Sequence, residues 1–324
     1  MTKMLTAIIA LENLDPSSKI DITDRAVYTE DSTLDWAAGD SLSALDVVNA
    51  VLIVSENGGA VALAQAVAGS EREFAEMMNA KAAQIGCKNS HFVNPNGLPN
   101  DNHYSTAADM ARIAVYCLKN PDFRKIIGTQ RTSIHWHHPK NKWAELRNTN
   151  ALLGNYKGAN GVKTGWTNAA GGCLTASAKR GNVELIAVVM NSENEQVRFD
   201  DATALLNYGF ERVRMVSGVK KSSAEKTIFV RGGKRAKIRV KPVNDLDFPL
   251  LAGEDEKLLG VTYELPKIVD AGEGIDEGEV LGEAVLRYDG KPVARVPLVA
   301  RDSVKAGFSF GSFFVGIAAL FIGD

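Results

Sequence analysis

The chain has 324 residues, 45% of them apolar and 23% charged, with a formal charge of -2. That length suggests two domains, and the balance is that of a globular protein rather than a disordered, collagenous or multi-span membrane chain. Without a bulk basic field to release counterions, nucleic acid is not expected as a partner.

In chain order, Met4, Leu5, Ala7, Ile8, Ile9, Ala10 and Leu11 form an apolar helical run directly behind Met1-Thr2-Lys3. The run is short and passes into Glu12, Asn13 and Asp15 without a cleavage-site pattern, so it reads as a core helix rather than a secretory signal. Leu45 to Ala68 predicts two helices separated by Ser55-Glu56-Asn57-Gly58-Gly59, and Arg72 to Ile85 a third, ended by Gly86. Asn94-Pro95-Asn96-Gly97 is a turn. Thr106 with Asp109 predicts a capping box for a helix reaching Leu118. Gly172–Ala178 and Val183–Met190 predict a hairpin in a buried sheet, turning at Lys179-Arg180-Gly181-Asn182. From about residue 214 to 303 the texture becomes charged and alternating, as in Lys237-Ile238-Arg239-Val240-Lys241, with turn signals at Arg231-Gly232-Gly233-Lys234 and Asp289-Gly290. A small antiparallel β domain is expected there. Ala306 to Gly323 carries no charge and is rich in Phe, with Arg301 and Lys305 ahead of it. The run falls just short of the length that spans a bilayer, and a membrane anchor is expected.

Cys87, Cys117 and Cys173 are too few and too scattered for a disulfide framework or a metal knuckle, and are expected as small buried hydrophobes. His135, His137 and His138 lack an acidic or thiol partner at ligand spacing and are expected on a loop or strand, not at a metal.

Three short patterns carry chemistry in combination: Lys3 behind Met1 and Thr2, Ser55-Glu56-Asn57 opening a helix, and Lys163-Thr164-Gly165 ahead of the hairpin. In this order and spacing they resemble the SxxK, SxN and KTG signatures of the penicillin-recognising serine acyltransferases, and among them the low-molecular-mass D-alanyl-D-alanine carboxypeptidases. Phe92-Val93-Asn94-Pro95-Asn96-Gly97-Leu98, Tyr104 to Ala111, Gly161 to Thr167, Ile275 to Gly282 and Val296 to Ala300 are similar to segments of the same family, so the resemblance runs over nearly the whole chain. Further matches at Ser217-Gly218-Val219-Lys220, Ser223-Ala224-Glu225-Lys226 and Ser192-Glu193-Asn194 are out of place: the first two follow the KTG element, and the last overlaps the end of a strand.

The resemblance implies an α/β fold, with a β-lactamase/transpeptidase-like domain of helices around an antiparallel sheet over residues 1–212. A β-rich domain over 213–303 and an anchor over 304–324 would follow. It assigns Lys3 as general base, Lys163 as the second cation that lowers its pKa, and Ser55 as a bridge between the lysines that passes the proton to the leaving D-alanine. Asn57 would hold a substrate amide carbonyl; Thr164 and Arg198 would bind the terminal carboxylate, with Gly165 also at the substrate; the Trp166 N–H would form half of an oxyanion hole. No metal or organic cofactor is implied. The partners would be peptidoglycan stem peptides, β-lactams as covalent inhibitors, and the extracytoplasmic face of the cell membrane.

One departure stands out. The serine of SxxK falls three residues before Lys3, ahead of Met1, so an N-terminally shortened chain is expected. Such a chain would not turn over, since loss of a nucleophile costs about six orders of magnitude in kcat. A second departure is Glu56, where the family has a small residue; it adds a negative charge near the lysines. Two competing functions remain: a catalytically inactive binder of stem peptides or wall partners, and a serine β-lactamase. The latter would need a deacylating glutamate well before the KTG element, and Glu145 stands too close to Lys163.

Overall fold

The structure is a computed structural model, and it describes residues 1–222, 225–312 and 314–315. The chain divides into two compact units, Met1–Glu211 and Arg212–Asp324.

The first unit opens with α1 (Lys3–Asn13), every residue of which from Lys3 to Ala10 is buried. A helix apolar all round belongs at the centre of a core. Short strand β1 (Lys19–Asp21), helix α2 (Asp24–Val27) and strand β2 (Ser41–Ser43) follow, then α3 (Ala44–Ile53) and α4 (Asn57–Ala68). Gly58 and Gly59 lie in the first turn of α4, not in the connection as the sequence suggested. Gly58 is needed for close packing, since a Cβ there would stand 2.5 Å from the Ala26 carbonyl oxygen; one on Gly59 would make a tight contact of 3.1 Å with the Val51 side chain. Helix α5 (Glu71–Ile85) is capped by Ser70, whose hydroxyl accepts from the Glu73 N–H, and ends where Gly86 turns left-handed at φ 92°.

Helix α6 (Ala107–Cys117) begins with half of the expected capping box. Thr106 Oγ1 accepts the Asp109 N–H, but the Asp109 carboxylate is too short to reach back. It is buried instead, accepting from the N–H groups of Lys88 and Asn89, from Ser90 Oγ and from Arg112. After α7 (Pro121–Ile127), strands β3 (Arg131–His138) and β4 (Trp143–Arg147) complete an antiparallel sheet in the order β1-β2-β3-β4. His135, His137 and His138 are exposed on β3, and no cluster of three His, Cys, Asp or Glu side chains among the described residues is placed to hold a metal.

Strands β5 (Ala159–Thr167), β6 (Gly171–Arg180) and β7 (Val183–Ser192) form a second antiparallel sheet, and α8 (Glu195–Arg212) follows. The hairpin is β6–β7 as expected; that the Lys163-Thr164-Gly165 segment is itself a strand was not foreseen. Its burial pattern hides the alternation, because residues 161–164 are buried in succession. The main core gathers α1, α3, α4 and parts of α5–α7, with Phe74, Phe92 and Phe123 among its largest buried side chains. Cys117 and Cys173 are buried, Cys87 half-buried, and all three are free thiols.

In the second unit, β8 (Val213–Val219) pairs with β11 (Leu246–Leu251). Strands β9 (Lys226–Arg231), β10 (Lys237–Pro242), β12 (Leu259–Glu264), β13 (Ile268–Asp270), β14 (Val280–Tyr288) and β15 (Lys291–Ala300) form a six-stranded sheet in the order β12-β14-β15-β10-β9-β13. Ile238 and Val240 point into its core, as their period-two spacing requires. Both turn signals join adjacent strands, and Asp289 and Gly290 have the positive φ of a tight hairpin turn. The sheet is not purely antiparallel: β13 lies parallel to β9 at its edge. Among the described residues no helix is long and apolar enough to cross a membrane. Of the apolar stretch expected as an anchor, residues 313 and 316–323 lie outside the described residues.

Candidate active site

The first turn of α1, the corner between α3 and α4, the turn after Phe92 and strand β5 converge in the first unit. Lys3 is 6% exposed, and its ammonium donates to Asn57 Oδ1 at 2.6 Å and to the Asn96 carbonyl at 2.9 Å. Since a lysine can only donate, this contact fixes the orientation of the Asn57 amide. The Asn57 Nδ2 in turn donates to the Glu30 carbonyl at 2.8 Å. Burial pulls the Lys3 amine down to about 8, against the opposing pull of Glu56 and then Asp31. About a tenth of it is then neutral at pH 7.

Ser55 takes a left-handed conformation, with a positive φ, which turns the chain sharply from α3 into α4. Glu56 caps α4: its Oε1 accepts the Gly58 N–H, while Oε2 accepts from the N–H and hydroxyl of Thr33 and the N–H of Leu34. The expected bridge through Ser55 is not formed. Among the described residues no hydrogen bond joins the Ser55 hydroxyl to Lys3 or Lys163; the Lys3 ammonium donates to Asn57 Oδ1 instead.

Lys163 is 1% exposed on β5, and among the described residues its Nζ has no hydrogen-bond partner. Burial first, then the charges of Lys3 and Arg198, hold its amine well below the ordinary lysine range. Thr164 shares a 2.7 Å hydrogen bond with Thr149. Arg198, in the first turns of α8, is buried; it donates to the Gly165 carbonyl at 3.0 Å and lies 3.6 Å from Glu195, with its Nε unpaired. Burial lowers its pKa as well. Trp166, on the edge strand of its sheet, is 46% exposed. The Met1 amine is buried near Lys163, Lys3 and Arg198, and desolvation first, then the lysine charges, lowers it to about 5.

Residues that sequence reasoning passed over complete the surroundings. His103 is held from both sides. Its Nδ1 accepts the Val93 N–H at 3.2 Å. The proton therefore sits on Nε2, which donates to Thr2 Oγ1 at 2.8 Å. Burial first, then the Met1 amine, lowers its pKa to about 4. Thr6 donates to the Pro95 carbonyl, and Gly97, at φ 82°, leaves no room for a Cβ beside Thr2. The Asn94–Gly97 turn was legible as a turn, but nothing in its composition marked it as the wall behind Lys3. Glu145 is exposed on β4 and paired with Arg131 at 3.4 Å, an unsuitable place for a deacylating base.

Comparison with known proteins identifies relatives of both units. The family model described as D-alanyl-D-alanine carboxypeptidase matches residues 1–194, and that of the penicillin-binding protein 5 C-terminal domain matches 214–306. The D-alanyl-D-alanine carboxypeptidase DacF of Bacillus subtilis is 34% identical over 314 residues, covering 95% of this chain and 80% of its own. Penicillin-binding protein 5 of Haemophilus influenzae superposes with a TM-score of 0.67 at 27% identity, over 94% of this chain and 89% of that one. A penicillin-binding protein 3 of Streptococcus pneumoniae reaches 0.77 at 23% identity, over 94% and 91%, a likeness of fold. With both units matched in order and the three motifs brought to one site, the chain belongs to the D-alanyl-D-alanine carboxypeptidase family of low-molecular-mass penicillin-binding serine peptidases.

Proposed function

We propose that the first unit, taken as residues 1–212, removes the terminal D-alanine from peptidoglycan stem peptides through an acyl-enzyme. The observation that carries this is the buried lysine pair, Lys3 with its amine near 8 and Lys163 on β5 with its Nζ unpartnered among the described residues. Neutral Lys3 is the base for the serine hydroxyl whose place is directly before Met1. As the serine oxygen bonds the penultimate D-alanine carbonyl carbon, its proton passes to Lys3. It then reaches the leaving amine as the peptide bond breaks, with Ser55 as the carrier once substrate closes the gap to the lysines. Water hydrolyses the ester in the second half. The Trp166 N–H stabilises the oxyanion; burial is what favours neutral Lys3, and the buried Lys163 amine, its own pKa lowered in the same way, is free to hydrogen-bond the substrate. Thr164 and Arg198, the latter held by the Gly165 carbonyl, receive the terminal carboxylate, and Asn57 orients a substrate amide. The same site is open to acylation by β-lactams.

Residues 213–303 form the second domain, and 304–324 attach the protein to the outer face of the cell membrane. Exposed Phe308, Phe310 and Phe314 beside Lys305 support this attachment. Loss of vesicle co-sedimentation in a chain ending at residue 303 is the expected result; undiminished binding would exclude that role.

The activity is tested by D-alanine release from an N-acyl peptide ending in D-Ala-D-Ala, using the chain with a serine placed directly before Met1. Arg198→Ala should lower kcat/KM for the free acid by about 100-fold, the loss of a charge-assisted contact, and leave the C-terminal amide little changed. No D-alanine release from the folded protein would contradict the assignment.

A further inference from the structure

Glu56 stands between the two residues of the SxN motif that face the reaction, yet its side chain turns away into the protein, fully buried. Both oxygens are occupied: Oε2 accepts from the Thr33 N–H at 2.8 Å, the Thr33 hydroxyl at 2.9 Å and the Leu34 N–H at 3.0 Å, and Oε1 accepts from the Gly58 N–H at 3.2 Å. The same segment meets the same turn twice more. Asn57 Nδ2 donates to the Glu30 carbonyl at 2.8 Å, and the Gly58 N–H donates to Ser32 Oγ at 2.9 Å. A buried anion with its donors in place is a rigid joint, because any rearrangement strands a charge away from water.

We propose that Glu56 is a positioning residue of this site: its carboxylate clamps the Glu30–Leu34 segment to the turn carrying Ser55 and Asn57, and it places a fixed negative charge beside Lys3. This rests on the carboxypeptidase reading for the meaning of Lys3, but not for the clamp itself. The charged groups acting on or from Lys3 are Glu56 ahead of α4, Asp31 in the 30–34 segment, Lys163 on β5 and the Met1 amine; Arg198 on α8 acts on Lys163 and Met1. Glu56 and Asp31 favour the ammonium, against burial. The clamp that holds Asn57 against Lys3 therefore also delays the lysine's release of its proton to higher pH, and displaces the rising limb of acylation towards alkali.

The test is the titration of Lys3 in the chain of 324 residues, followed by NMR of 13C-labelled lysine with Lys3→Arg for assignment. The wild-type midpoint is expected near 8. In Glu56→Gln, which keeps the shape and removes the charge, it should fall by about one pH unit. A folded Glu56→Gln protein with the wild-type midpoint overturns the charge role. Thr33→Val removes one clamp donor and keeps the charge, so it decides the matter if Glu56→Gln does not fold. In the chain bearing a serine before Met1 it should slow penicillin acylation about tenfold at every pH, without moving the acid limb. Unchanged acylation overturns the clamp. Absence of acylation in the parent serine-bearing chain at any pH defeats the carboxypeptidase reading, and the Lys3 titration then still judges Glu56.

Discussion

A lysine amine in a protein interior loses its hydration, and the two lysines here bear that cost differently. Lys3 recovers part of it through Asn57 and the Asn96 carbonyl; the Lys163 Nζ has no hydrogen-bond partner among the described residues. Lys163→Met should therefore stabilise the protein by about 1–3 kcal/mol, the size of a buried unsatisfied group, while abolishing catalysis. Calorimetry of the variant checks this, and a lowered Tm would contradict it. His103 makes the opposite contribution on the acid side. Its folded pKa of about 4 lies below the unfolded value of 6.5, so between them the unfolded chain binds a proton that the folded chain does not. Stability from this group is complete above the unfolded pKa and falls as the pH drops towards the folded one, by about 3 kcal/mol at full extent. Urea midpoints at pH 7 and pH 4.5 should differ less in His103→Gln than in wild type; an equal acid loss in both would contradict the assignment.

At the scale of elements, the site depends on how tightly α4 starts. The left-handed Ser55, the Glu56 cap and Gly58 against the Ala26 carbonyl leave one path for the chain. Gly58→Ala forces a methyl to within 2.5 Å of that carbonyl. The overpacking should cost about 1–3 kcal/mol and displace Asn57 from Lys3. An unshifted Tm would show that α2 yields freely. Much of this element was legible beforehand, and the limits have physical causes. Caps and stops such as Ser70, Thr106 and Gly86 act locally, so their residue types announce them. The two motif lysines and Asn57 were found because their order matched a family pattern. What the sequence hid was long-range: the burial of Glu56 depends on Thr33 and Leu34, the tautomer of His103 on Val93 and Thr2, and the strand at Lys163 on being covered on both faces. The parallel edge pairing of β13 with β9 likewise carries no local signal, since parallel and antiparallel partners ask for the same residue types.

At the scale of the whole molecule, the chain divides its tasks between units with separate cores. The α-rich unit packs helices all round α1, so that Lys3 starts from the most buried element. The β unit has its own core from Val219 to Val304 and carries charged ladders such as Arg295 with Glu264 and Glu283 on its exposed strands. The proposed role of the first unit is that of a serine acylation site organised around Lys3. The most direct measurement is the intact mass of the folded protein after benzylpenicillin at pH 8. It compares the chain of 324 residues, the chain with a serine directly before Met1, and that chain carrying Lys3→Ala. One equivalent of covalent penicillin on the serine-bearing chain alone is the result expected. A folded serine-bearing chain that gains no mass, or one that labels equally well without Lys3, would rule out that role.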